Sequence, residues 1–185
     1  MKKISAAILL ISLLSSCAGF GGFNKPSELD SLDKGAKFDI KKFFNGDLEG
    51  FAIIQDEQGK IIDTHSFKVN GKWEENKGVI QQNFTYASGG KDSRTWLITL
   101  EEGGSTFSAI GHDIVAPAQG KQVGNAMQMT YSLSLPNKAD KQKVKVNFED
   151  KIYLVDEKSA IMIQSSSVGF SGTKKAIISL KKLGN

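Results

Sequence analysis

Three polar side chains fall where the alternation of the chain calls for apolar ones. Arg94 shares its parity with Trp96, Ile98 and Leu100 in the segment 93–101, and Asp113 shares its parity with Phe107, Ala109 and Val115 in 105–115. Asn125 stands in line with Met127, Met129, Tyr131, Leu133 and Leu135 in 123–135. Successive side chains of a strand point to opposite faces, so inward-facing apolar sets carry these three inward with them. In a meander Arg94 opens one strand, Asp113 closes the next and Asn125 opens the one after, which puts all three at one end. A turn near Gly103 sets Arg94 opposite about residue 112, and Tyr86, on the parity of Phe84, opposite Arg94 across Gly89-Gly90. A guanidinium, a carboxylate, an amide and a phenol can orient the head of an amphipathic ligand, with Trp96, Met127 and Tyr131 against its apolar part. The same residues can instead form a buried Arg–Asp pair that fixes register, with Asn125 hydrogen-bonded to it. The sequence leaves both readings open.

No catalytic residue is expected. His65 has the parity of Phe67 and Val69 and reads as a core histidine, whereas His112 faces solvent. No Gly-x-Ser-x-Gly occurs, and Asp56, Glu57, Asp150 and Asp156 are scattered near turns and strand ends. Met127 and Met129 read as core filler rather than a soft-metal site. No metal and no cofactor are expected.

The start of the chain carries an address. Lys2 and Lys3 precede an apolar run, Ile4 to Leu14, that is too short to span about 30 Å of hydrocarbon. It reads as a signal peptide, residues 1–16. The sequence Leu14-Ser15-Ser16-Cys17 resembles a bacterial lipobox, which implies that Cys17, the single cysteine, becomes the acylated first residue. Several acyl chains hold a protein firmly to a bilayer. Ala18 follows in place of an aspartate, so the periplasmic leaflet of a Gram-negative outer membrane is the expected location. Residues 17–37, with Gly19, Gly21, Gly22 and Pro26, read as a flexible tether.

The elements that must position the polar residues are strands. The 24 basic and 20 acidic side chains give +4, or +2 without Lys2 and Lys3, which is too little and too evenly spread for a nucleic-acid partner. From residue 38 to 185, one domain, turn signals such as Asn70-Gly71, Gly89-Gly90 and Gly103-Gly104 recur every 10–15 residues. Between them lie ten alternating segments: 47–55, 60–69, 72–87, 93–101, 105–115, 123–135, 142–149, 150–156, 159–168 and 173–182. A helical turn fits around Asp39 to Phe44. An antiparallel up-and-down barrel of about 8–10 strands, lipocalin-like and all-β, is the economical arrangement because closure removes the sheet edges. Lys68, Lys143, Lys145 and Lys174 on outer faces argue against a transmembrane barrel.

Several motifs bear a resemblance: Phe43-Phe44-x-Gly46, Arg94-x-Trp96, Gly111-x-Asp113-Ile114-Val115, Gly124-Asn125-Ala126 with Tyr131-x-Leu133, and Asp150-x-x-Tyr153-Leu154. Over about residues 40–182 the chain resembles the bacterial lipoprotein family called domain of unknown function 3833. The resemblance implies a short lipobox-bearing protein of a Gram-negative bacterium, and it makes Arg94, Asp113 and Asn125 motif positions. It implies no activity. Lys151-Ile152 departs from the family's tryptophan after the aspartate, and Ser165-Ser166-Ser167 from its basic residue and phenylalanine. A lipid-anchored module that binds a lipid or other apolar ligand is the leading expectation. An interaction lipoprotein with a solid core, or an enzyme acting on lipid through Asp113 or His65, are the rivals.

Overall fold

The computed structural model describes residues 28–32, 35–136, 142–169 and 171–184. The signal segment and Cys17 lie outside them. A short helix, α1 (Ile40–Phe43), precedes ten strands: β1 (Gly46–Gln55), β2 (Ile61–Glu74), β3 (Lys77–Tyr86), β4 (Lys91–Leu100), β5 (Thr106–Ile110), β6 (Ala118–Val123), β7 (Ala126–Pro136), β8 (Lys143–Leu154), β9 (Ser159–Val168) and β10 (Ser171–Lys182). Each strand pairs antiparallel with its sequence neighbours, and β1 closes on β10 from Leu48↔Lys182 to Gln55↔Lys175. The result is a closed up-and-down barrel, as the alternation predicts.

Ten segments expected and ten strands found conceal two differences that cancel. Residues 142–156, read as two strands, form the single β8, whose ladder to β7 runs unbroken through Glu149 and Asp150. Residues 105–115, read as one strand, stop at Ile110, and a separate β6 follows at Ala118. The Asn70-Gly71 pair is not a turn. Gly71 lies within β2, where an added Cβ would collide with the Phe44 carbonyl of the α1–β1 link. Only glycine lets the chain cross there. The turn comes at Glu75-Asn76 instead, and Glu75 takes φ +48° without being glycine.

One end of the barrel is filled. Asp39 caps α1 by accepting from the backbone N–H groups of Lys41 and Lys42. The helix has one turn, so its stability comes from what it buries rather than from its own hydrogen bonds. Phe38, Ile40, Phe43 and Phe44 are all buried, and the three rings stand 5.1–6.5 Å apart. With them pack Leu48, Val69, Ile98, Leu100, Phe107, Met127, Ile152 and Leu180. Phe107 can lie flat against the opposing strand because residue 120 is glycine.

Residues 28–32, assigned by sequence to the tether, lie against this closed end. Leu29 is buried, the Leu32 N–H donates to Asn125 Oδ1 at 2.8 Å, and Lys151 Nζ donates to the Glu28 carbonyl at 2.8 Å.

Candidate functional site

The opposite end is different. Inward-facing residues near it, Ile54, His65, Phe84, Tyr86, Phe148, Gln164 and Ser166, are only partly buried. Same-face residues of the closed half, Leu48, Val69, Ile80, Ile152, Ala160 and Leu180, are at most 4% exposed. The interior is thus packed below and accessible above.

Arg94 lies on the wall of this open half. β5 pairs with β4 only over Leu97–Leu100, so the upper part of β4 has no ladder partner on that side. The chain from Gly111 to Pro117 fills the space and binds to β7: Ile114 bridges Leu133, and the Ser134 N–H donates to the Asp113 carbonyl. Arg94 spans the remaining gap, donating from Nε and Nη2 to Asp113 at 3.1 and 2.7 Å. The register Leu97↔Ile110, carried past the end of the ladder, lands on this pair. Burial is the largest single influence and pushes Asp113 up. The hydrogen bonds and the charge of Arg94, with smaller help from His112 and a backbone hydrogen bond, together outweigh it and hold the carboxyl below its usual range. The other guanidinium N–H groups have no partner among the described residues, and the guanidinium carbon stands 5.9 Å over the Trp96 ring.

Beneath Arg94 lies a polar floor that the sequence reading did not assemble. Asp150, 4% exposed, accepts from Tyr131 at 3.1 Å and from Gln164 at 2.9 Å. Gln164 also donates to the Tyr131 hydroxyl at 3.2 Å. Burial, against those two hydrogen bonds, pushes the Asp150 carboxyl up to about 7. Tyr131 is pushed well above its ordinary value, by burial first and the nearby Asp150 charge second. Trp96 meets Tyr131 edge-on at 5.0 Å and donates from its indole to Gln82 at 3.0 Å. A strand boundary at residue 150, as the sequence suggests, would leave Asp150 at a strand end, whereas β8 runs through it. The alternation Phe148, Asp150, Ile152, Leu154 was the signal that could have placed it inside.

The structure therefore brings Arg94, Trp96, Asp113 and Tyr131 together, with Tyr86 at the rim of the same half. Gln82, not Tyr86, stands opposite Arg94, and Tyr86 closes the β3–β4 turn by its N–H bond to Gly90. Asn125 and Met127 lie at the closed end. The extra strand β6 reverses the direction of everything after it, which carries Asn125 to the far end from Asp113. The Asn125 side chain is spent there on Leu32 and on the Leu154 carbonyl. Met127, 3% exposed, packs in the core opposite Ile152. His65 packs against Phe67, Phe84 and Tyr86 with centroids 5.4–6.1 Å away, and burial lowers its pKa despite Asp63. A shallow concavity of about 750 Å³ lies on the outer wall, over Glu49, Phe51, Ser66, Lys68, Thr85 and Lys91, and its lining also takes in Phe67, Phe84 and Asp92.

Two solved structures share the fold. An S-type phycobiliprotein lyase, CPES, from Guillardia theta superposes with a TM-score of 0.60 at 6% identity, over 80% of this chain and 94% of that one. A protein of unknown function of the DUF3598 family from Nostoc punctiforme superposes with a TM-score of 0.55 at 13% identity, over 80% of this chain but 50% of that longer one. At these identities the likeness is one of fold. No curated protein matches the sequence significantly. The match that reaches the sequence itself runs over residues 16–180, and by it the chain belongs to the protein family of unknown function DUF3833.

Proposed function

We propose that this protein is a binding module that holds one amphipathic molecule in the open half of its barrel, anchored through acylated Cys17 to the periplasmic face of an outer membrane. The observation that carries the reading is the asymmetry of the interior. Apolar walls at Ile54, Phe84 and Phe148 are left partly exposed beside Arg94 and above a floor of Tyr131, Asp150 and Gln164. Binding sites combine apolar lining with a few placed polar groups. A shared fold with a phycobiliprotein lyase agrees with a barrel that can accept a guest, without indicating which one.

The test uses Trp96 as reporter. In a Trp73→Phe variant it is the sole indole, and it borders the open half. Titration with the neutral probe N-phenyl-1-naphthylamine should give saturable energy transfer from Trp96 at about one probe per chain. No transfer at micromolar probe would overturn the proposal. One feature favours a second reading, an interaction lipoprotein. Val79, Leu97 and Ile110 stand in register on the outer wall and are each about half exposed.

A further inference from the structure

We propose that the head of the bound amphiphile is a cation, an alkylammonium or quaternary ammonium group, seated at the rim between the rings of His65, Phe84 and Tyr86 and the carboxylates of Asp63 and Asp92. This rests on the binding reading above and names its ligand class. The rings come from adjacent strands: His65 pairs with Tyr86, and Phe67 with Phe84. Phe84 and Tyr86 lie nearly parallel at 6.5 Å, with His65 edge-on to both at 5.7 and 5.4 Å. All three are partly exposed to the open half. A cation over aromatic faces is drawn by their quadrupoles, and quaternary ammonium ligands exploit this.

The charges around the rings have the matching sign. Asp63 stands opposite Ile54 and shares the face of His65, while Asp92 stands opposite Phe84. Each accepts only a local N–H bond, from Thr64 and Ser93 respectively, and no ion pair among the described residues neutralises either. Arg94, two residues from Asp92 on the same face, forms its ion pair with Asp113, although its charge is also felt by Asp92. Lys174 lies on the same face of β10, two strands from Asp63, and is exposed. His65 adds a ring rather than a competing charge, because burial favours its neutral form. An anionic head seated among these rings would meet Asp63 and Asp92, while Lys174, in no ion pair with the described residues, lies two strands away.

The experiment compares three twelve-carbon amphiphiles below their micelle concentrations: dodecyltrimethylammonium, dodecanoate and dodecyl maltoside. Binding to the full-length Trp73→Phe protein is read by Trp96 fluorescence and calorimetry. Dodecyltrimethylammonium should bind at least ten-fold more tightly than dodecanoate, with the preference shrinking as salt is raised. Asp63→Asn with Asp92→Asn should abolish the preference while leaving the maltoside affinity within two-fold, which shows that the barrel is intact. Equal or tighter binding of dodecanoate, or a preference that survives the double variant, would overturn the inference and leave the pocket standing. Binding of none of the three would overturn the pocket itself.

Discussion

Asp150→Asn tests whether the polar floor is as dry as the geometry says. The carboxyl moves from 3.8 to about 7 on folding, so between those values the folded chain holds a proton that the unfolded chain has lost. A native state that binds more protons loses stability as pH rises. Three units at about 1.4 kcal/mol each make roughly 4 kcal/mol, gone by neutral pH. Asparagine carries no such proton, so it leaves the pH dependence out. Its NH₂ carries two N–H groups where the protonated carboxyl carries one O–H, and the extra donor meets Gln164 or Tyr131 without a free acceptor, a mismatch costing about 1–2 kcal/mol at any pH. The variant should therefore be less stable than the parent near pH 4 by that amount, and more stable near pH 8 by about 2–3 kcal/mol. Urea denaturation at half-unit pH steps reads the difference directly, and subtraction removes His65 and Asp113, which titrate in both proteins. A difference that stays flat from pH 4 to 8 would refute the reasoning, because it would mean that Asp150 ionises at its ordinary value.

Other expectations follow from the wall and the core. Arg94→Ala leaves Asp113 partly buried without its partner and should cost about 2–4 kcal/mol, while Arg94→Ala with Asp113→Ala should cost clearly less than the two single changes added; additivity in a denaturation cycle would contradict direct coupling of the Arg94–Asp113 pair. Gly120→Ala drives a Cβ into the buried Phe107 ring and should destabilise by about 1–3 kcal/mol, partly relieved by Phe107→Leu in the same chain. Cys17→Ser should abolish palmitate labelling in cells and move the protein to the aqueous phase on detergent partition; labelling that persists would remove the anchor from the account.

The barrel was legible because alternation in nearly every strand is strict enough to read without pairing partners. The clearest case is β7, where Met127, Met129, Tyr131 and Leu133 alternate with polar residues. The ion pair was legible for the same reason, since register from one turn places Arg94 against Asp113. What was not legible depended on tertiary neighbours. Asn70-Gly71 has the composition of a turn, yet Gly71 is required by the Phe44 carbonyl crossing it from another element. The break between β5 and β6 follows Ile110 at Gly111, but the alternation of Phe107, Ala109, Asp113 and Val115 runs on through it, so Asn125 was assigned to the wrong end. Asp150 was hidden by its type. A carboxylate among apolar residues reads as a turn until Tyr131 and Gln164 are seen to satisfy it.

The most direct test of the central claim is native mass spectrometry of the protein isolated from cell envelopes, paired with organic extraction of the same sample. The parent should carry one small amphiphilic molecule per chain. Ser166→Phe, which places a ring beside Phe148 in the open half, should fold normally and carry none. A parent with no adduct and no extractable ligand, or a Ser166→Phe chain that retains the parent's adduct, would contradict the account.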